Sequence, residues 1–262
     1  GGGAKEYIKT NSKAAVEVLP LDTSSLVSCR VFAEAVKEKA KGRPIIFIGA
    51  AANISTDEGR ELSKDGYDYD FSSNHLGLQS IVADLGPHLT KEEGSRVVIV
   101  GSKLERQGKL DVEVVRSSHG KSLRSGGRQL NQKPSPVQHY SDTKLANSLL
   151  GTHLSSLFPS VTTVVVSPGM VNTGLWRNFS APYRAVTYPL RALALRSPED
   201  AAEGVFYAAA AAEVEEEKGS GCIFLVDGVR GQQSEVAEDK VKAKELYEVC
   251  AELIEQKKPR TF

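Results

Sequence analysis

Tyr140 and Lys144 stand four residues apart in the stretch His139-Tyr140-Ser141-Asp142-Thr143-Lys144-Leu145-Ala146-Asn147. The stretch reads as the start of a helix, and that spacing puts both side chains one turn apart on a common face. A phenol beside an ammonium group can act as an acid–base pair. Free tyrosine titrates near ~10, and a cation a few ångströms away favours the phenolate and lowers that value. Tyr-x-x-x-Lys arises easily by chance, so its weight depends on what surrounds it. Two further polar groups stand out. Ser102 follows an apolar run of strand length, and Asn74 opens a segment with helical periodicity.

The scaffold that must position these groups is legible in outline. With 262 residues, 40% hydrophobic and 25% charged, the chain can bury a full core. Its formal net charge is zero, so no global field draws it to nucleic acid. Cys29, Cys222 and Cys250 form no Cys-x-x-Cys pair, and none of the five histidines has a partner at ligand spacing. Neither a metal site nor a disulfide framework is expected, and a reducing compartment such as cytoplasm or organelle stroma is favoured. The longest apolar runs, such as 44–52, are too short to span a bilayer. The chain starts Gly1-Gly2-Gly3 and its one methionine is Met170, so it is not expected to be an intact translation product.

Read in order, residues 15–20 suggest a strand ending in Leu21-Asp22. Ser24 or Ser25 caps a helix running to about Lys41, with Val31, Phe32, Ala35 and Val36 on one face. Residues 45–49 form an apolar run expected to be a strand buried on both faces. Residues 74–89 are helical, interrupted or ended by Gly77 and Gly86-Pro87. Residues 96–101 are another strand, and 103–138 read as a polar surface insertion. A helix over 137–157, a strand over 161–166, a helix from Ser197-Pro198 to about Glu215, a strand over 222–226 and a charged helix over 237–256 complete the chain. The last helix should bury Val241, Leu246, Val249, Cys250 and Leu253. Alternating strands and helices imply an α/β fold, a doubly wound parallel sheet forming a single domain over 1–262. In such sheets ligands bind beyond the carboxyl ends of the strands. Asp22, Gly49, Ala50, Ala51, Ala52, Ser102 and Pro168–Thr173 lie there.

These residues, in this order, give the chain a resemblance to the short-chain dehydrogenase/reductase family, covering it from about Val16 onward. Leu21-Asp22 resembles a strand-end aspartate that contacts adenine. Asn74-His75-Leu76-Gly77 resembles the helix segment with the catalytic asparagine, and Val97–Ser102 the strand ending in the catalytic serine. Tyr140-x-x-x-Lys144 followed by Leu145-Ala146-Asn147 resembles the active-site helix of the retinol dehydrogenase branch, with the protochlorophyllide reductase branch also near. Pro168-Gly169-x-Val171-x-Thr173 resembles the loop holding the nicotinamide carboxamide.

The resemblance implies NADP(H) as cofactor, with NAD not excluded, and interconversion of a hydroxyl and a carbonyl on a hydrophobic small molecule. Tyr140 is then the proton donor or acceptor. Lys144 lowers its pKa and binds the nicotinamide ribose, Ser102 donates to the substrate oxygen, and Asn74 holds a water leading from Lys144 to solvent. Gly49, Ala50, Pro168, Gly169, Val171 and Thr173 would line the cofactor. The pattern departs from the family in three places. The first strand–helix–strand unit with its glycine-rich turn is absent, which should leave a face of the sheet uncovered. The asparagine motif after the next strand reads Ile48-Gly49-Ala50-Ala51, with Asn53 too far on to be an obvious substitute. The interval from Ser102 to Tyr140 is long. A non-catalytic homologue acting through protein contacts is the competing reading. Residues 174–195, rich in aromatics and arginines, suit a lid over an apolar pocket or a membrane-surface contact.

Overall fold

Four apolar runs become the parallel strands of one sheet: β1 (Ile46–Gly49), β2 (Arg96–Val100), β3 (Thr162–Ser167) and β4 (Ile223–Val226). They lie side by side in chain order, and a short antiparallel strand, β5 (Val229–Arg230), closes the far edge. This computed structural model describes residues 15–55, 62–118, 120, 123, 135–171 and 195–257. Within them run α1 (Leu26–Ala40), α2 (Gly77–Lys91), α3 (Val112–Arg116), α4 (Pro136–Leu157), α5 (Pro198–Ala210), α6 (Ala212–Glu216), α7 (Glu235–Glu238) and α8 (Lys240–Glu255).

Strand alternation sends successive side chains to opposite faces. Val97, Ile99, Val165 and Phe224 pack with Cys29 and Ala33 of α1, Leu85 of α2 and Leu154 of α4. Val98, Val164, Val166 and Leu225 meet Ala208 and Ala209 of α5 and Val214 of α6 on the other face. Helices therefore cover both faces, as expected of a doubly wound sheet. Each fully buried aliphatic side chain contributes roughly 1.5–3 kcal/mol through water exclusion. A further apolar layer joins Tyr67, Phe71, Leu76, Leu145 and Leu149 to Leu246, Val249, Cys250 and Leu253 of α8.

Local chemistry sets the helix ends. Ser25 caps α1, Ser135 caps α4 by accepting from the Gln138 amide at 3.1 Å, and Ser197 caps α5 by accepting from Asp200. Pro136 and Pro198 occupy first-turn positions, where a missing N–H costs no hydrogen bond.

Several expectations are corrected. Residues 15–20 form no strand, because no neighbouring strand among the described residues offers them a ladder. β1 is an edge strand, with Ile46 49% and Ile48 44% exposed on the face they share with Arg96 and Val98 of β2. On α1 the packed face is Cys29, Phe32, Ala33 and Val36, while Val31 points to solvent. Gly77 and Gly86-Pro87 do not break α2. Each glycine instead admits a neighbour: an added Cβ would lie 2.1 Å from the Thr23 carbonyl oxygen at Gly77 and 2.8 Å from the Phe158 ring at Gly86.

The start of the 103–138 segment is core rather than insertion. Leu110, Val112 and Val115 join the α8 layer, and buried Glu105 accepts from the Ser234 amide at 2.9 Å and from its hydroxyl. The final helix is broken at Asp239 into α7 and α8, with Val241 exposed. β5 follows an Asp227-Gly228 turn, both residues at positive φ.

Candidate active site

Because β1 to β4 are parallel, their carboxyl ends share one edge, and Gly49–Ala51, Gly101-Ser102 and Pro168–Val171 gather there. Helix α4 runs past this edge and brings Tyr140 and Lys144 to it, both buried. Lys144 is 1% exposed, and its Nζ donates to the carbonyls of Ala51 and Val100, each at 2.9 Å. The ammonium thus ties α4 to the ends of β1 and β2. It also sits 5.5 Å from the centre of the Tyr140 ring.

The electrostatics differ from expectation. Burial pushes Lys144 down from 10.5 to about 8 and pushes the Tyr140 phenol up, since both charged forms lose hydration. Desolvation of the phenolate is what raises the phenol, and it does so although the ammonium, whose protons go to two carbonyls, stands beside the ring.

Asn74 lies in a π turn, Ser72–Leu76, that leads directly into α2. Its Oδ1 accepts from the Asn53 amide at 2.7 Å, and its Nδ2 donates to the Asn53 carbonyl at 2.9 Å and the Thr143 hydroxyl at 3.1 Å. Both ends of the Asn74 side-chain amide are therefore engaged within the protein. Ser102 caps the short 3-10 turn Lys103–Gln107 by accepting from the Leu104 amide at 3.2 Å, which leaves its hydroxyl proton for a ligand oxygen. The adjacent Lys103 amide donates to Ser167 Oγ at the end of β3.

The remaining expected residues divide. Gly169 takes a φ of +77°, and a Cβ there would lie 2.7 Å from Asp227 Oδ1. Val171 bridges to Arg196, whose guanidinium donates to Asp227 at 2.7 Å, so the Pro168–Val171 loop is stitched to the β4–β5 turn. Gly49 ends β1, where a Cβ would press on Phe47 and Leu78, and Ala50 is exposed. Asp22 Oδ1 is engaged by the amide and hydroxyl of Ser24, a turn role that sets up α1. Thr173 and residues 174–194 lie outside the described residues.

Residues absent from the expected set complete the site. Asp70, buried in the short turn Tyr69–Phe71, accepts from Asn53 Nδ2, from the Ser55 amide at 3.1 Å and from the Ser55 hydroxyl at 2.6 Å. His139 and Asp68 form a buried pair at 2.9 Å that fixes the first turn of α4. Their sequence signal was weak, since isolated Asp and Asn residues in a polar stretch read as turn formers.

No family model matches the chain. Individual relatives do. A polyprenol dehydrogenase of Danio rerio is 29% identical over 249 residues, covering 91% of this chain and 70% of that protein. A polyprenol dehydrogenase of Mus musculus is 30% identical, covering 87% and 65%. A dehydrogenase/reductase SDR family member 13 of Bos taurus is 30% identical, covering 73% of this chain and 47% of that protein. The chain belongs to the short-chain dehydrogenase/reductase family. It spans between about half and 70% of the length of these curated relatives. The fold agrees: a crystal structure of an uncharacterized protein from Mycobacterium Paratuberculosis superposes with a TM-score of 0.66 at 23% identity, covering 96% of this chain and 80% of that one. NADPH-bound carbonyl reductase from chicken fatty liver superposes at 0.58 with 17% identity, covering 89% and 84%.

Members of the family are NAD(P)-dependent oxidoreductases. A buried phenol, an ammonium, a serine hydroxyl and a glycine-containing loop share one edge of the sheet here. Among the described residues no glycine-rich turn leads from a strand into a helix as a cradle for phosphates; β1 runs instead into the irregular segment 50–55.

Proposed function

We propose that this protein is an NADP(H)-dependent oxidoreductase, NAD remaining an alternative, that interconverts a hydroxyl and a carbonyl on a hydrophobic small molecule. The observation that carries the reading is Lys144, buried and held by the Ala51 and Val100 carbonyls beside the Tyr140 ring, at the ligand edge of the sheet. Burying an ammonium is costly, and the cost is accounted for when the charge assists a reaction. The nicotinamide supplies or accepts the hydride when bound. Lys144, Pro168, Gly169 and Val171 would hold its nicotinamide half.

Tyr140 is protonated at neutral pH, as the ordinary phenol value already requires and as burial reinforces, so it has a proton to give to a carbonyl oxygen. Lys144, at about 8, remains mainly charged at neutral pH and stabilises the phenolate as it forms. Ser102 donates its hydroxyl proton to the same substrate oxygen. A hydrophobic substrate is supported by the polyprenol dehydrogenases among the relatives and by Trp176, Phe179, Tyr183 and Tyr188 in the segment expected to form a lid.

The test is a fluorescence titration with NADPH, followed by turnover of a polyprenol and of retinol, using the protein as its source makes it. Binding and turnover, with turnover lost in Tyr140→Phe, are expected. Absence of NADPH and NADH binding would favour the competing reading, a homologue that works through protein contacts.

A further inference from the structure

The asparagine expected just after β1 is absent, yet the segment it would hold is tightly fixed. Three contacts do this. Asn74 brackets the Asn53 backbone from both sides, Asp70 takes the Asn53 side chain and both donors of Ser55, and the Ala51 carbonyl receives Lys144. Asp70 and Asn74 are four residues apart and flank the start of the π turn, so one short stretch grips the loop at two points. We propose that Asp70 is a positioning residue that, through Asn53 and Ser55, sets the 51–55 loop and thereby places Lys144 and Asn74 for the reaction. The inference rests on the oxidoreductase reading for its functional meaning, and on geometry alone for the clamp.

The chemistry of the clamp is specific. Asp70 Oδ1 receives Asn53 Nδ2 and the Ser55 hydroxyl, while Oδ2 receives the Ser55 amide. All the atoms facing the carboxylate in these contacts are donors. Asp70→Asn keeps the shape but turns one acceptor into a donor, so a buried N–H of the clamp loses its partner. Exchanging the two residues, Asp70→Asn with Asn53→Asp, restores one carboxylate facing one amide. Ser55→Ala removes one hydroxyl, which donates to Asp70 and accepts from Asn53 Nδ2 at 3.2 Å, and is the milder perturbation if the first variant does not fold.

The readout is the titration of the Lys144 side chain, followed by NMR of 13Cε-labelled lysine and assigned by its loss in Lys144→Met. Tyr140 is the titratable group beside it among the described contacts. In Asp70→Asn the loosened loop admits water to the ammonium, and its midpoint should rise from about 8 by about one unit toward 10.5. Ser55→Ala should move it the same way by less, and the exchanged pair should bring it back. In parallel kcat should fall about tenfold in Asp70→Asn with KM unchanged, and recover in the exchanged pair. A folded Asp70→Asn protein whose Lys144 midpoint does not move, or an exchanged pair that does not restore it, would overturn the proposal. If the midpoint moves and recovers while the unsubstituted protein turns over no substrate, the clamp stands and the oxidoreductase reading fails.

Discussion

Acid should unfold this protein through one histidine. His75 is fully buried in the π turn, its ring tilted against Phe71 at 5.0 Å between centroids. Its Nδ1 pairs with Asn147 Oδ1 at 3.0 Å, which makes Nδ1 the donor in the neutral ring, and among the described residues its Nε2 has no hydrogen-bond partner. A second proton would create a buried cation with no acceptor. Burial accordingly lowers its pKa from 6.5 to about 4. Between these values the unfolded chain binds a proton that the native chain refuses, so stability falls as pH drops from 6.5 toward 4. The full shift corresponds to about 3 kcal/mol, of which about 2 kcal/mol is lost by pH 5. That is a large part of a domain's ordinary margin. His153, half-buried beside Tyr247, is also lowered by burial and contributes with the same sign, so a variant is needed to isolate His75. Urea unfolding should be measured at pH 7, 6 and 5 for the unsubstituted chain and for His75→Gln. The glutamine chain should start less stable and lose about 2 kcal/mol less than the histidine chain between neutral pH and pH 5. Parallel losses in the two proteins would refute the reasoning.

Other perturbations follow from single contacts. Tyr140→Phe should cut turnover by about 10²–10⁴-fold while leaving the thermal midpoint almost unchanged, because the ring still fills its place; activity and melting assays on one preparation check this. Gly77→Ala should destabilise by about 1–3 kcal/mol, since its methyl would meet the backbone oxygen of Thr23 at 2.1 Å rather than a side chain that can turn away. Chemical denaturation reads it directly. Glu105→Gln should cost about 1–3 kcal/mol, because its two oxygens accept from the amide and hydroxyl of Ser234 and an amide group cannot accept at both. Hydrogen exchange should then rise first in α7, which Ser234 caps.

Sequence alone determined several of the elements and which candidate groups share a face. The β-branched runs specify β2 and β3, serine followed by proline specifies the starts of α4 and α5, and four-residue spacing specifies that Tyr140 and Lys144 share a face. These depend on near neighbours, so local pattern suffices. Where each strand sits in the sheet was not local. Residues 45–49 read as a buried strand, yet β1 is an edge because nothing among the described residues pairs with its outer side. Residues 15–20 have the composition of a strand and form none for the same reason: a ladder needs a partner.

The site shows the same division. Tyr140, Lys144, Ser102 and Asn74 could be named from their motifs, but their protonation could not. Whether a cation lowers a phenol depends on the burial of both and on the carbonyls of Ala51 and Val100, which come from strands far away in the chain. Asn53 looked misplaced by sequence count. The tertiary structure makes it central, because Asp70 and Asn74 grip it from a turn 17 and 21 residues later. Local sequence fixed which groups were present and which faces they shared; long-range packing decided which dipoles they met and how much water they lost.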